Sequence, residues 1–65
     1  MKILVNGAWR ETAAGQLSAL LEELGLAGAV VATAVNGEFV AAAVRGHAAL
    51  TEGDRVEVLA PMQGG

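Results

Sequence analysis

Met1-Lys2-Ile3-Leu4-Val5-Asn6-Gly7 opens the chain with a β-rich run that halts at Asn-Gly. That dipeptide tolerates positive φ at both positions, as a two-residue type I′ turn demands, so the run predicts a strand 1 folding back into a strand 2 at about Ala8 to Thr12. Alternation places Met1, Ile3 and Val5 on one face and Lys2 and Leu4 on the other. The face with three apolar members is the core candidate, which leaves Leu4 partly exposed. Trp9, the single tryptophan, reads as packing material covering a small core and is given no functional role.

Beyond that hairpin the period changes. Leu17, Leu20, Leu21 and Leu24 fall at i, i+3, i+4 and i+7, one face of an amphipathic helix that packs on the sheet, and Gly25 supplies its stop. No Ser, Thr, Asp or Asn stands directly before Leu17 to cap the start. Glu22 and Glu23 diverge by about 100° around the helix and have no partner group nearby in sequence, so they read as a solvated face rather than an acid–base pair.

Ala29-Val30-Val31-Ala32-Thr33-Ala34-Val35 has the composition of a central strand, and Asn36-Gly37 repeats the turn signal before Glu38-Phe39-Val40. With Val31, Thr33 and Val35 toward the helix, Ala32 and Ala34 form a flat patch of small residues that another protein can approach closely; the reverse phasing satisfies the pattern too. Ala41 to Leu50, rich in alanine with Gly46 inside it, predicts irregular or short helical turns over one end of the sheet. His47 has no ligand neighbours at metal spacing and reads as a surface or hydrogen-bonded residue. Thr51-Glu52-Gly53-Asp54 is a turn, and Arg55-Val56-Glu57-Val58-Leu59 alternates with Val56 and Val58 inward. Leu59 breaks that alternation by joining Arg55 and Glu57 on the outward face; with Ala32, Ala34 and Phe39 it makes the candidate partner face.

The last stretch is Ala60-Pro61-Met62-Gln63-Gly64-Gly65. Pro61 has no N–H for a ladder, so the final strand ends there, and a flexible tail over 61–65 is expected to project from a domain over 1–60. Gly64 and Gly65 have no Cβ, which suits an extended path through a channel too narrow for other residues. Met62 and Gln63 would thread in behind them, and the carboxylate of Gly65 is the chemical group on offer.

Composition narrows the function further. A single domain of 65 residues buries about 60% of its unfolded surface, so a large interior active site is not expected. With 54% apolar and 17% charged residues the chain is too hydrophobic for disorder, while its longest apolar runs fall far short of a membrane span. The net charge is −3, and Lys2, Arg10, Arg45 and Arg55 are scattered, which gives nucleic acid no basic stripe. The absence of cysteine removes disulfides, thiolate metal sites and any thiol nucleophile. Met1-Lys2 leads straight into a strand with no room for a signal peptide, so a cytoplasmic location is expected.

Hairpin, helix, hairpin and a final strand suit a mixed sheet wrapped around one helix, and here the chain resembles the ubiquitin-like β-grasp sulfur carriers of thiamine biosynthesis, the ThiS-like family. The likeness covers all 65 residues. It rests on Met1-Lys2-Ile3-Leu4-Val5-Asn6-Gly7, Leu20-Leu21-Glu22-Glu23-Leu24, Ala34-Val35-Asn36-Gly37-Glu38-Phe39-Val40, Glu52-Gly53-Asp54-Arg55-Val56-Glu57-Val58 and Gln63-Gly64-Gly65, in that order. One departure follows Val40, where many relatives have Pro-Arg and this chain has Ala41-Ala42-Ala43-Val44-Arg45.

The resemblance implies an α+β, β-grasp fold with a mixed sheet of four to five strands, the last two forming the inner pair with strand 1. It implies sulfur carried on the terminal glycine, matched here by Gly65 with the slim Gly64 before it. An E1-like adenylating enzyme would use ATP to form the Gly65 acyl-adenylate, a persulfide donor such as a cysteine desulfurase would supply sulfur, and the thiocarboxylate would go to a thiazole synthase. On that reading the chain binds no cofactor and is a protein co-substrate, not an enzyme. Two kinds of protein share the fold and the Gly-Gly end, the small subunit of molybdopterin synthase and carriers for tRNA thiolation, although the molybdopterin type is usually longer. A β-grasp interaction module without acyl chemistry is the reading from another class.

Overall fold

Two Asn-Gly turns set the register of the sheet. In the computed structural model, which describes residues 1–60, Asn6 and Gly7 have φ of 49° and 83°, and Asn36 and Gly37 have 51° and 85°. These are the left-handed values of a type I′ turn. The first turn joins β1 (Lys2–Val5) to β2 (Ala8–Glu11), with Val5 opposite Ala8 and Leu4 opposite Trp9. The second joins β3 (Ala32–Val35) to β4 (Glu38–Val40), with Val35 opposite Glu38 and Ala34 opposite Phe39.

The last strand, β5 (Arg55–Leu59), runs parallel to β1 and antiparallel to β3, so the five strands stand in the order β2-β1-β5-β3-β4. The mixed sheet with one helix, α1 (Leu17–Glu23), is the expected β-grasp arrangement. Three details differ from expectation. The centre is β5, and of the apolar run at 29–35 only Ala32–Val35 is strand, with Val30 exposed. Of the last two strands only β5 lies beside β1, because the Asn36-Gly37 turn ties β4 to the outer side of β3 and leaves it at the edge.

Leu17, Leu20 and Leu21 on the helix meet Ile3, Val56 and Val58 from the sheet, with Ala14 and Leu50 closing the cluster. Each fully buried aliphatic side chain contributes about 1.5–3 kcal/mol, and this cluster is the main source of stability in so small a domain. Val31 and Val35 pack against it and Thr33 is buried, so the phasing that turns Ala32 and Ala34 away from the helix is the correct one. Gln16 makes no side-chain cap, as the sequence leads one to expect; the Leu17 N–H donates instead to Ala48 O at 2.9 Å, and the Leu50 N–H to Gly15 O at 3.0 Å. A two-bond bridge to the crossover thus fixes where the helix starts. At its other end Gly25 has φ of 76°, and the N–H groups of Leu26 and Gly25 donate to Leu21 O and Glu22 O, a Schellman motif.

Glu22 is exposed as expected, but Glu23 is more than a solvated carboxylate. It accepts a hydrogen bond from the buried Thr12 hydroxyl at 2.6 Å and lies 3.7 Å from Arg10 Nε. That hydroxyl bond first, with smaller help from the Ala13 N–H and Arg10, holds its pKa below the ordinary carboxylate range.

The crossover takes the form of a 3-10 helix at Ala42–His47, in keeping with the short turns expected there. Arg45 staples this crossover, its Nε donating to Thr33 Oγ1 at 2.9 Å and its Nη2 to Val31 O at 2.7 Å. Those bonds anchor the crossover to the start of β3. His47 is exposed, and among the described residues no group of three or more His, Cys, Asp or Glu stands together. None of the described helices is long and apolar enough to cross a membrane.

Both turn asparagines also reach into β5. Asn6 Nδ2 donates to Val58 O at 3.0 Å while its Oδ1 accepts the Val58 N–H at 2.8 Å. At the other end Asn36 Oδ1 accepts the Arg55 N–H at 2.9 Å, and its Nδ2 donates to Asp54 Oδ1 at 3.1 Å. The Asp54 carboxylate further accepts the Thr51 N–H at 2.8 Å and the Thr51 hydroxyl at 3.1 Å. The Thr51 backbone bond chiefly, then Asn36, holds its pKa below the ordinary carboxylate range.

A carboxyl that is more acidic when folded adds stability above its unfolded pKa, and that stability is lost as pH falls through the folded value. Asp54→Ala should therefore melt below wild type near neutral pH, and the two curves should converge as the pH falls through the lowered folded value. A gap that persists unchanged in acid would remove the Asp54 carboxylate from the account.

Candidate functional site

The helix covers one face of the sheet and leaves the other open. Directly opposed residues of antiparallel strands point to the same side, so Leu4 and Trp9 share the open face across β1 and β2, and Ala34, Phe39 and Glu57 share it across β3, β4 and β5. Leu59, opposite Ala32, completes the set. The four residues expected to form a partner face, Ala32, Ala34, Phe39 and Leu59, are thus assembled from three strands into one place. With Thr33 and Glu57 they line a shallow hollow of about 140 Å³.

Phe39 and Leu59 are 73% and 64% exposed, well beyond what a small core would leave in water. Large apolar side chains grouped in this way mark contact surfaces, whereas singly exposed ones mean little. Leu59 is also the last residue of β5, with Ala60 next, so the hollow lies at the root of the segment 61–65. Pro61, Met62, Gln63, Gly64 and Gly65, the tail singled out in the sequence, lie outside the described residues.

Trp9 corrects the sequence reading. It does not cover the core but stands 63% exposed on the open face, opposite Leu4. The signal that finds it is the turn: a two-residue Asn6-Gly7 loop forces Val5 opposite Ala8 and Leu4 opposite Trp9, so with Ile3 and Val5 inward Trp9 must follow Leu4 outward. The open face therefore carries two apolar areas, Leu4 with Trp9 at one side and the hollow at the other.

Arg55 and Glu57 stand between them on β5. The Arg55 guanidinium leans to the second hairpin, its Nη2 only 3.6 Å from where a Cβ on Gly37 would lie. Neither residue belongs to the ion pairs among the described residues, which join the Met1 amine to Glu11 and Arg10 to Glu23. Between its two apolar areas this face offers one carboxylate and one guanidinium, the makings of a protein contact.

Comparison with known proteins gives the family. The model of the ThiS family matches residues 3–65, nearly the whole chain and including Gly64 and Gly65. The chain belongs to the ThiS family. A crystal structure of the thiamine biosynthesis protein (ThiS) from Geobacter metallireducens is similar to this ThiS-family chain at 32% identity, with a TM-score of 0.83 and complete coverage of both chains. A search of curated proteins finds no match.

Proposed function

We propose that this chain is a sulfur carrier of thiamine biosynthesis whose Gly65 carboxylate is adenylated, converted to a thiocarboxylate and used as the sulfur donor for thiazole formation. The observation that carries this reading is the ThiS family match through residue 65, which takes in the Gly-Gly end together with the β-grasp domain. A carboxylate is a poor acyl donor because oxide is a poor leaving group. Attack of its oxygen on the α-phosphate of ATP releases pyrophosphate and turns that oxygen into part of AMP, which leaves readily. A persulfide sulfur then displaces AMP, and a thiol cleaves the S–S bond to free the thiocarboxylate, a better nucleophile than the oxygen acid. ATP is consumed by an E1-like activating enzyme, and a thiazole synthase receives the sulfur; the carrier itself is the co-substrate. The chain has no cysteine, so no internal thiol competes for the activated terminus.

The test is chemical. Incubated with an adenylating enzyme, ATP and a persulfide donor, the protein should gain the mass of one sulfur-for-oxygen exchange, located to Gly65 in the C-terminal peptide. Deletion of its gene should create a requirement for thiazole or thiamine. An unaltered mass with an active enzyme and donor would sink the proposal.

Under this reading the open face is where the partners grip. Ala34→Glu and Leu59→Glu each set a new carboxylate into the hollow and should weaken binding to the activating enzyme or the thiazole synthase by more than about 1 kcal/mol, with the circular dichroism spectrum unchanged. Unaltered binding by both variants would place the contact elsewhere.

A further inference from the structure

Glu57 sits where a docking surface tolerates a carboxylate least. It is anchored on β5, the central strand, and lines the hollow beside Ala32, Ala34, Phe39 and Leu59. Thr33, the remaining lining residue, has its hydroxyl engaged with Val40 O and Arg45. The Glu57 carboxylate makes no hydrogen bond and no ion pair to any other described residue and lies open to water. A partner that covers Phe39 and Leu59 removes that water. A carboxylate buried without a partner costs several kcal/mol, enough to cancel the gain from the apolar contact around it.

We infer that the protein which covers this face brings an arginine to Glu57, so that the hollow takes a guanidinium framed by apolar side chains. This rests on the proposed function, and it commits to the adenylating enzyme, the partner that meets the unmodified chain. Arginine fits because its planar fork gives a carboxylate two parallel hydrogen bonds, keeps its charge at every accessible pH and gives up hydration more readily than an ammonium. The plane of the guanidinium can also lie against the ring of Phe39. Glu57 is then the residue that selects the partner: apolar surfaces that lack the cation are refused by the cost of stripping its water.

The experiment measures ATP–pyrophosphate exchange by the adenylating enzyme of the same genome as a function of carrier concentration and ionic strength. Glu57→Gln should raise the apparent KM for the carrier at least about thirtyfold with little change in kcat, as expected when one member of a desolvated charge pair is truncated. Glu57→Lys should raise it further, and both variants should lose the rise of KM with added salt that wild type shows. Glu22→Lys, the same charge change on the helix side of the molecule, is the control and should behave as wild type. Glu57 is exposed, so the melting points of its variants should match wild type and exclude misfolding as the cause.

Should Glu57→Lys be adenylated with the KM and salt dependence of wild type, this inference is overturned while the proposed function stands. Exchange absent with the wild-type carrier overturns the proposed function and this inference with it. Equal losses for Glu22→Lys and Glu57→Lys would reduce the effect to net charge and also overturn the pairing.

Discussion

Val56→Asp is expected to leave the domain unfolded at room temperature. Val56 has no exposed surface and stands on the central strand against Ile3 and the helix leucines. An aspartate there either buries an unpaired charge or takes up a proton to avoid it, and each course costs several kcal/mol. A domain of this length has about 5 kcal/mol to lose. The adjacent Glu57→Ala removes an exposed side chain and should barely move the melting point. Circular dichroism melts of the two variants measure the difference, and comparable losses would contradict the register of β5.

The second large effect concerns Gly64 and belongs to the proposed chemistry. Gly64→Val puts a β-branched side chain one residue before the reacting carboxylate, and the variant should bind the activating enzyme through the open face yet fail to be adenylated. A chain lengthened by one residue beyond Gly65 moves its carboxylate about 3.3 Å or more along the path, whereas reaction requires the attacking oxygen within about 3 to 3.5 Å of phosphorus. Pyrophosphate release should fall below detection for both, with binding retained. Normal turnover by either would make the Gly-Gly end incidental.

Most of the fold was legible in the sequence because its signals are local. Asn6-Gly7 and Asn36-Gly37 mark their hairpins through backbone conformation alone, and Leu17, Leu20 and Leu21 mark the buried helix face through spacing. That Ala32, Ala34 and Leu59 share one face was legible for a related reason, since alternation along β3 and β5 decides which way they point. What escaped is non-local. No pattern near Asn6 announces that its side chain will bond Val58 across 52 positions, nor does anything near Arg45 point to Val31 and Thr33. The choice of β5 rather than the apolar run at 29–35 as the centre depends on the crossover, which also moves β4 to the edge. Trp9 was misplaced for a different reason: its size suggested the core, while the pairing imposed by its own turn assigned it to the open side.

The two asparagines that grip β5 have a mechanical consequence. Whatever draws on the end of this chain pulls through Ala60 on Leu59, along the axis of a strand bonded to β1 on one flank and β3 on the other. Tension in that direction loads both ladders in shear, so their bonds resist together and do not open one at a time as in a peeled hairpin. Asn6 adds two side-chain bonds at Val58, next to the point where tension enters, and Asn36 holds Arg55 at the far end. Forced unfolding is governed by the unfolding rate. β5 is thus braced against a pull applied at Leu59, which would load the sheet as a unit before stripping the strand from it.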